Sequence, residues 1–140
     1  MNYGEFISSF LIDLQRLFRS DISIKNMTYS QVLAIISIPI DGIEMSELAR
    51  KLGLDNSTIT RLMVRLENKG WVGREQSRRD KRAIKVFLKT TGLVLQKDIE
   101  KKIESIGEKI EIEIDDEKRE SILEHLYAFQ WGLRKTFIKK

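Results

Sequence analysis

The sequence predicts a mainly helical chain with one small β-ribbon near its middle. Three observations carry that expectation. Apolar residues recur at helical spacing towards both ends. One proline and few glycines in 140 residues leave room for long uninterrupted helices. Between Trp71 and Leu88 the apolar period shortens to two, the signature of strands, before the helical period returns. With 41% apolar residues the chain can bury a core, and its length predicts one domain over 1–140.

The elements follow in order. From Tyr3 to Ser20, Phe6, Phe10, Leu14, Leu17 and Phe18 fall at helical spacing, with Ile7 and Leu11 beside them. That stripe is wider than a surface helix needs. It fits burial within its own domain, or packing on a partner subunit as well. Thr28 and Gln31 have the spacing of a capping box and open a second helix, which stops near Pro39. Asp41-Gly42 is a turn signal. Ser46 is expected to cap a short helix, Glu47 to Leu52, ended by Gly53. Asp55 or Asn56 caps the next helix, which runs to Asn68 or Lys69 and ends at Gly70. Leu48, Ala49 and Leu52 would face Ile59, Leu62, Met63 and Leu66, and a short glycine-containing turn joins the two helices. This is a helix-turn-helix. Trp71–Glu75 and Ala83–Leu88 read as two strands connected by Gln76–Arg82, so the ribbon follows the helix pair at once, as in a winged helix. From Thr90 the helical period returns. Ile99, Ile103, Ile106 and Ile110 form a seam, and Ile110–Asp115 reads as a helix end despite its alternation. Asp115-Asp116 opens a last helix through Ile122, Leu126, Phe129, Leu133 and Phe137, with a basic end at Lys135, Lys139 and Lys140.

The expected organisation is thus a winged helix-turn-helix lobe, 28–89, flanked by helices at 1–20 and 90–140. Those flanking helices either cover the lobe or join two copies of the chain. The second reading is preferred, with Phe6, Phe10, Ile122, Leu126, Leu133 and Phe137 as the dimer interface.

Charge singles out the centre. Asp55–Lys89 holds ten Lys and Arg against four Asp and Glu, net +6, while the whole chain is +4; the rest therefore sums to −2. Localised positive charge is a nucleic-acid footprint. On a helical wheel Ile59, Leu62, Met63 and Leu66 share one side of the second helix of the pair. Ser57, Thr58, Arg61, Arg65 and Asn68 share the other. One face would lock into the core and the other offer donors to a major groove, with Thr60 added to the contacting set. Asp55 would cap the helix. The loop residues Arg78, Arg79, Lys81 and Arg82 would straddle the backbone or enter a narrow minor groove. The plainer alternative for both features is a solvated helix face and a solvated hairpin tip.

The segment ELARKLGLDNSTITRLMVRLENKGWVGREQSRRDKRAIKVFLKTTG resembles the MarR family of bacterial and archaeal transcriptional regulators. The resemblance is close from Ser46 to Gly92. It rests on Thr60-Arg61, Arg65-Leu66-Glu67, Lys69-Gly70-Trp71-Val72 and Asp80-Lys81-Arg82. It implies a homodimer on a pseudo-palindromic double-stranded DNA operator, usually a repressor, released by a small, often phenolic, effector. It also implies that Asp55 and Arg82 can pair to anchor the wing; Asp80 is the other expected wing anchor. Leu88-Lys89-Thr90-Thr91-Gly92 departs from the family's usual Leu-Thr-x-x-Gly, which leaves the start of the next helix to Thr90 or Thr91.

Other classes fit poorly. The chain has no cysteine and one histidine, His125, which reads as a helix-surface or interface residue. No phosphate-cradling glycine loop or metal-spaced ligand cluster is present, so neither an enzyme nor a cofactor or metal is expected. Asp115-Asp116 and Glu100/Glu104 have simpler roles at helix starts and solvated faces. No basic, apolar leader opens the sequence and no apolar run spans a membrane, so a cytoplasmic protein without a membrane partner is the expectation. The alternative to a DNA-binding regulator is a winged helix that serves as a protein-interaction or assembly module.

Overall fold

A computed structural model describes residues 1–138; the basic Lys139 and Lys140 lie outside the described residues. The elements are α1 (Tyr3–Leu17), α2 (Tyr29–Ser37), β1 (Ile43–Glu44), α3 (Met45–Leu52), α4 (Asn56–Asn68), β2 (Val72–Gln76), β3 (Ile84–Leu88), α5 (Thr90–Glu113) and α6 (Asp116–Ile138). The strands form one antiparallel sheet in the order β1-β3-β2. Packing divides the chain into two compact units, Met1–Ile103 and the residues from Glu104 onwards, with α5 continuous across the division.

The core of the first unit is apolar and comes from the faces that the periodicity selects. Val32, Ala34, Ile35 and Ile38 meet Leu48 and Ala49, then Ile59, Leu62, Met63 and Leu66, with Val72, Val86, Leu88 and Ile99 closing it. Ala49 is buried, a small residue where α3 and α4 approach. The capping box of α2 is present: Thr28 Oγ1 accepts the Gln31 amide at 3.2 Å, and Gln31 Oε1 accepts the Thr28 amide at 3.1 Å. Gly53 ends α3 at φ 69°, where a side chain would be strained, and the Leu54 amide returns to the Ala49 carbonyl at 2.8 Å.

Four boundaries differ from expectation. The first helix stops being α-helical at Leu17 and continues as a π-helical turn, Phe18–Ile22, with Ile22 buried. β1 was not expected at all. It pairs Ile43 with Val86 and Glu44 with Lys85, so the ribbon is a three-stranded sheet. The short helix starts at Met45, because Glu44 in the strand is its N-cap, and Ser46 lies inside the first turn. Each wing strand is displaced at its start by one residue, to Val72 and Ile84. Ile110–Asp115 is helical through Glu113, and α5 starts at Thr90, as the sequence suggests.

The C-terminus of α2 has no following helical turn to take its carbonyls, because Pro39 ends the helix. Side chains take them instead. Gln96 on α5 donates from one Nε2 to the Ile35 carbonyl at 2.8 Å and the Ile38 carbonyl at 2.9 Å. Lys51 on α3 donates to the Ser37 carbonyl at 3.2 Å. Gln96→Leu keeps the volume and removes both donors. It is expected to lower stability by about 1–3 kcal/mol, read as a lower urea midpoint with an unchanged slope.

Candidate nucleic-acid interface

α4 is held by its apolar face and presents the other. Ile59, Met63 and Leu66 are fully buried and Leu62 nearly so. On the opposite face Ser57, Arg61 and Arg65 are exposed, and Thr58 is half-buried. Arg61 Nη2 donates to Thr58 Oγ1 at 3.4 Å, a weak contact that a base edge or phosphate could replace. Thr60 departs from the expected set. Its hydroxyl donates to the Asn56 carbonyl at 2.7 Å and lies 3.7 Å from Met45 Sδ, so it faces back towards α3.

The helix start is built by Asp55. Its Oδ1 accepts the Thr58 amide at 2.7 Å and the Ser57 hydroxyl at 2.9 Å. These hydrogen bonds, first of all that from the Thr58 backbone, lower its pKa from an ordinary 3.8 to about 2; the nearby charge of Arg61 adds a smaller part. A depressed carboxylate pKa stabilises the fold above the unfolded value, near 3.8, and that contribution is lost as pH falls through about 2. The first turn of α4 is therefore expected to lose Thr58 amide protection as pH falls from 4 to 2. Asp55→Asn, which can cap without titrating, should flatten that dependence. Amide exchange against pH, read by NMR, checks both.

The wing loop is Ser77–Ala83, and it is ordered by its own polar groups. Asp80 Oδ1 accepts the Arg82 amide at 2.9 Å, and the Ala83 amide returns to the Asp80 carbonyl at 2.9 Å. Gln76 Nε2 donates to the Lys81 carbonyl. At the base, the buried Ser77 hydroxyl donates to Glu44 Oε1 at 2.9 Å and accepts the Arg79 amide at 3.3 Å. Arg78, Arg79, Lys81 and Arg82 are all exposed on this frame.

The anchoring implied for Asp55 and Arg82 is not the arrangement found. Arg82 has a side chain 96% exposed, and its ion-pair partner is Asp80 at 3.9 Å. Asp55 is occupied by Ser57 and Thr58. Asp80 bonds the backbone of its own turn. The sequence gives no sign of Glu44, because that contact spans 33 residues and depends on a strand too short to show periodicity.

Two members of the basic stretch are engaged internally. Arg74 on β2 makes a two-pronged contact with Glu67 on α4, Nε to Oε2 at 3.2 Å and Nη2 to Oε1 at 3.0 Å. This bond holds the Glu67 carboxyl below its ordinary pKa. Lys69 turns towards α2, where it donates to the Asn26 carbonyl and to Gln31 Oε1. The exposed cations of the stretch outside these two contacts are Arg61, Arg65, Arg78, Arg79, Lys81, Arg82 and Lys89, with Arg82 3.9 Å from Asp80.

Away from this module, α1 and α6 contain no buried residue. Phe10, Leu126, Leu133 and Phe137 are 40–60% exposed, and Phe6 and Ile122 are half-buried. Leu123, Tyr127, Trp131 and Ile138 form a second exposed apolar stripe on α6, and Lys135 Nζ lies 3.6 Å from the Trp131 ring centre. His125 is exposed, with Nδ1 2.8 Å from the Ser121 carbonyl on its own helix. Among the described residues no group of three or more His, Cys, Asp or Glu could hold a metal ion, and no helix is long and apolar enough to cross a membrane.

Comparison with known proteins places this geometry. The MarR family model matches residues 26–84, which span α2 to the start of β3. The HTH-type transcriptional regulator TtmR of Methylorubrum extorquens is 30% identical over 116 residues, covering 82% of this chain and 58% of that protein. The chain thus spans under two thirds of that relative's length. A crystal structure of MarR superposes with a TM-score of 0.81 at 20% identity, covering 100% of this chain and 96% of that one. FabT of Streptococcus pneumoniae, solved in complex with DNA, gives 0.78 at 19% identity, covering 95% and 96%. The capped α4, the wing turned at Asp80 and the family match agree: residues 26–84 match the MarR family, and the chain has that family's winged helix-turn-helix fold.

Proposed function

We propose that this protein is a sequence-specific, double-stranded-DNA-binding transcriptional regulator that acts as a homodimer on a pseudo-palindromic operator. The observation that carries the reading is the division of α4: a buried apolar face, and an opposite face of Ser57, Thr58, Arg61 and Arg65 on the same lobe as an ordered cationic wing. Arginine can address guanine O6 and N7 together, and Ser57 and Thr58 at the helix N-terminus suit phosphate oxygens. The wing arginines suit a narrow minor groove. FabT, of the same fold, was solved with DNA, which supports the same use of the fold here.

One lobe reads only a half-site. The exposed apolar faces of α1 and α6, including Phe10, Leu126, Leu133 and Phe137 together with Phe6 and Ile122, support association with a second copy. On this reading the lobe 28–89 contacts DNA, and the helices in 1–20 and 90–140 set the distance between two lobes. Repression, and its relief by a small phenolic molecule, rest on family resemblance. The cytoplasm is the compartment this reading requires.

Duplex binding across a salt series tests it. A log–log salt dependence with a slope reflecting several neutralised phosphates is expected, with tighter binding to one genomic sequence than to bulk duplex. No binding to any genomic duplex at moderate salt would instead favour a protein-binding module.

A further inference from the structure

Lys69 stands at the C-cap of α4, one turn beyond Arg65, inside the stretch whose charge suggests DNA. By sequence it is one of the ten basic residues of that stretch. The structure gives its ammonium different neighbours. It donates to the Asn26 carbonyl, and to Gln31 Oε1 at 3.2 Å, and lies 4.7 Å from the Trp71 ring centre. An ammonium has three N–H donors. Two are engaged by oxygens and the ammonium also lies against the indole face, so a phosphate must compete with these partners. No carboxylate lies within ion-pair reach of it among the described residues.

The partners are built rather than incidental. Gln31 is 4% exposed, and the oxygen that receives Lys69 is the one that caps α2 by accepting the Thr28 amide at 3.1 Å. Asn26 has φ 67°, a left-handed conformation that asparagine tolerates, in the turn whose carbonyl receives Lys69. The Trp71 carbonyl accepts the Lys89 amide at 3.0 Å, so the ring belongs to the junction of β2 with the start of α5. One ammonium thus joins the end of α4, the capping turn of α2 and the base of the ribbon.

We infer that Lys69 is a positioning residue of the reading helix, a clamp that sets α4 against α2 through Gln31, and not a contact to nucleic acid. The inference rests on the reading of α4 as the DNA-contacting helix. Arg65 and Arg61 precede the clamp by one and two turns, about 6 and 12 Å along the same rod. A change in the seating of α4 at Lys69 therefore tilts both guanidinium groups. The effect falls on specific binding, where side-chain placement matters, and little on non-specific attraction, where only charge does.

Lys69→Met keeps the stem and removes the donors. Its comparison is Lys81→Met, which removes an exposed wing cation. Operator affinity is measured across a potassium chloride series, with folding of each variant verified by circular dichroism. Lys69→Met is expected to weaken specific binding about tenfold with the salt slope unchanged, whereas Lys81→Met should reduce the slope by about 1. Hydrogen exchange of the free protein provides a readout independent of DNA. Lys69→Met should speed amide exchange about tenfold in the first turn of α2 and the last turn of α4, and Gln31→Met should reproduce that pattern. A slope reduced by about 1 for Lys69→Met would make it a phosphate contact and overturn the inference, as would unchanged affinity or unchanged exchange. Should the wild-type chain bind no duplex, the proposed function falls, while the exchange measurement still decides whether the clamp exists.

Discussion

Gly92→Ala is expected to destabilise the protein by about 3 kcal/mol, against the direction of helix propensity. Gly92 lies in the first turn of α5, where alanine would ordinarily be better by about 1 kcal/mol. A Cβ at this position would stand 2.0 Å from the Trp71 carbonyl oxygen and 3.0 Å from its carbon. Neither neighbour can rotate away, because both are backbone. That carbonyl already accepts the Lys89 amide at 3.0 Å, and Thr91 Oγ1 donates to the neighbouring Gly70 carbonyl. The start of α5 and the turn after α4 are therefore bonded at contact distance, and a methyl group must separate them. Thermal unfolding should show a drop in Tm on the order of 10 °C. A variant as stable as the parent would mean that α5 can move off Trp71 at little cost.

Arg61→Ala and Arg65→Ala are each expected to weaken specific operator binding by about 1–3 kcal/mol, roughly fivefold to more than a hundredfold. Both side chains are exposed on a helix whose other face is locked in the core, so truncation should leave the fold intact. If the guanidinium groups read guanines, the loss is greatest on the preferred sequence and small on bulk duplex. Arg82→Ala should behave differently. Its side chain is 96% exposed on the wing, and its removal should weaken binding to many sequences alike and reduce the salt slope by about 1. Fluorescence anisotropy with operator and scrambled duplex at several salt concentrations separates the two patterns. If all three variants bound like the parent, the assignment of α4 and the wing to DNA would be wrong.

What could be read in the sequence was whatever is local. The α2 capping box needs only residues three apart, and Thr28 and Gln31 carry it. The α3–α4 pair is marked by helical periodicity and by Gly53, and the faces of α4 follow from a wheel. What escaped depends on contacts distant in sequence. β1 is two residues long and has no period of its own; its existence depends on Lys85 and Val86, some forty positions away. Ser46 looked like a cap because nothing nearby shows that Glu44 ends a strand. Counting charge does not reveal which cations are engaged, since Arg74 meets Glu67 and Lys69 meets Gln31 only once the chain has folded. The pairing of Asp55 with Arg82 came from resemblance, and the local groups Ser57, Thr58 and Asp80 take those partners instead. The π-helical turn at Phe18–Ile22 has no marker in the sequence that we can identify.

Duplex reading by two copies of α4 and its wing is tested most directly by selecting bound fragments from genomic DNA and mapping the contacts in the enriched site. The expected product is an inverted repeat whose half-sites lie about one helical turn, roughly 10 base pairs, apart. Protection should fall on the major groove within each half-site and on the flanking minor groove. Enrichment of no sequence over random duplex, or of a single unrepeated site bound by one copy, would contradict it.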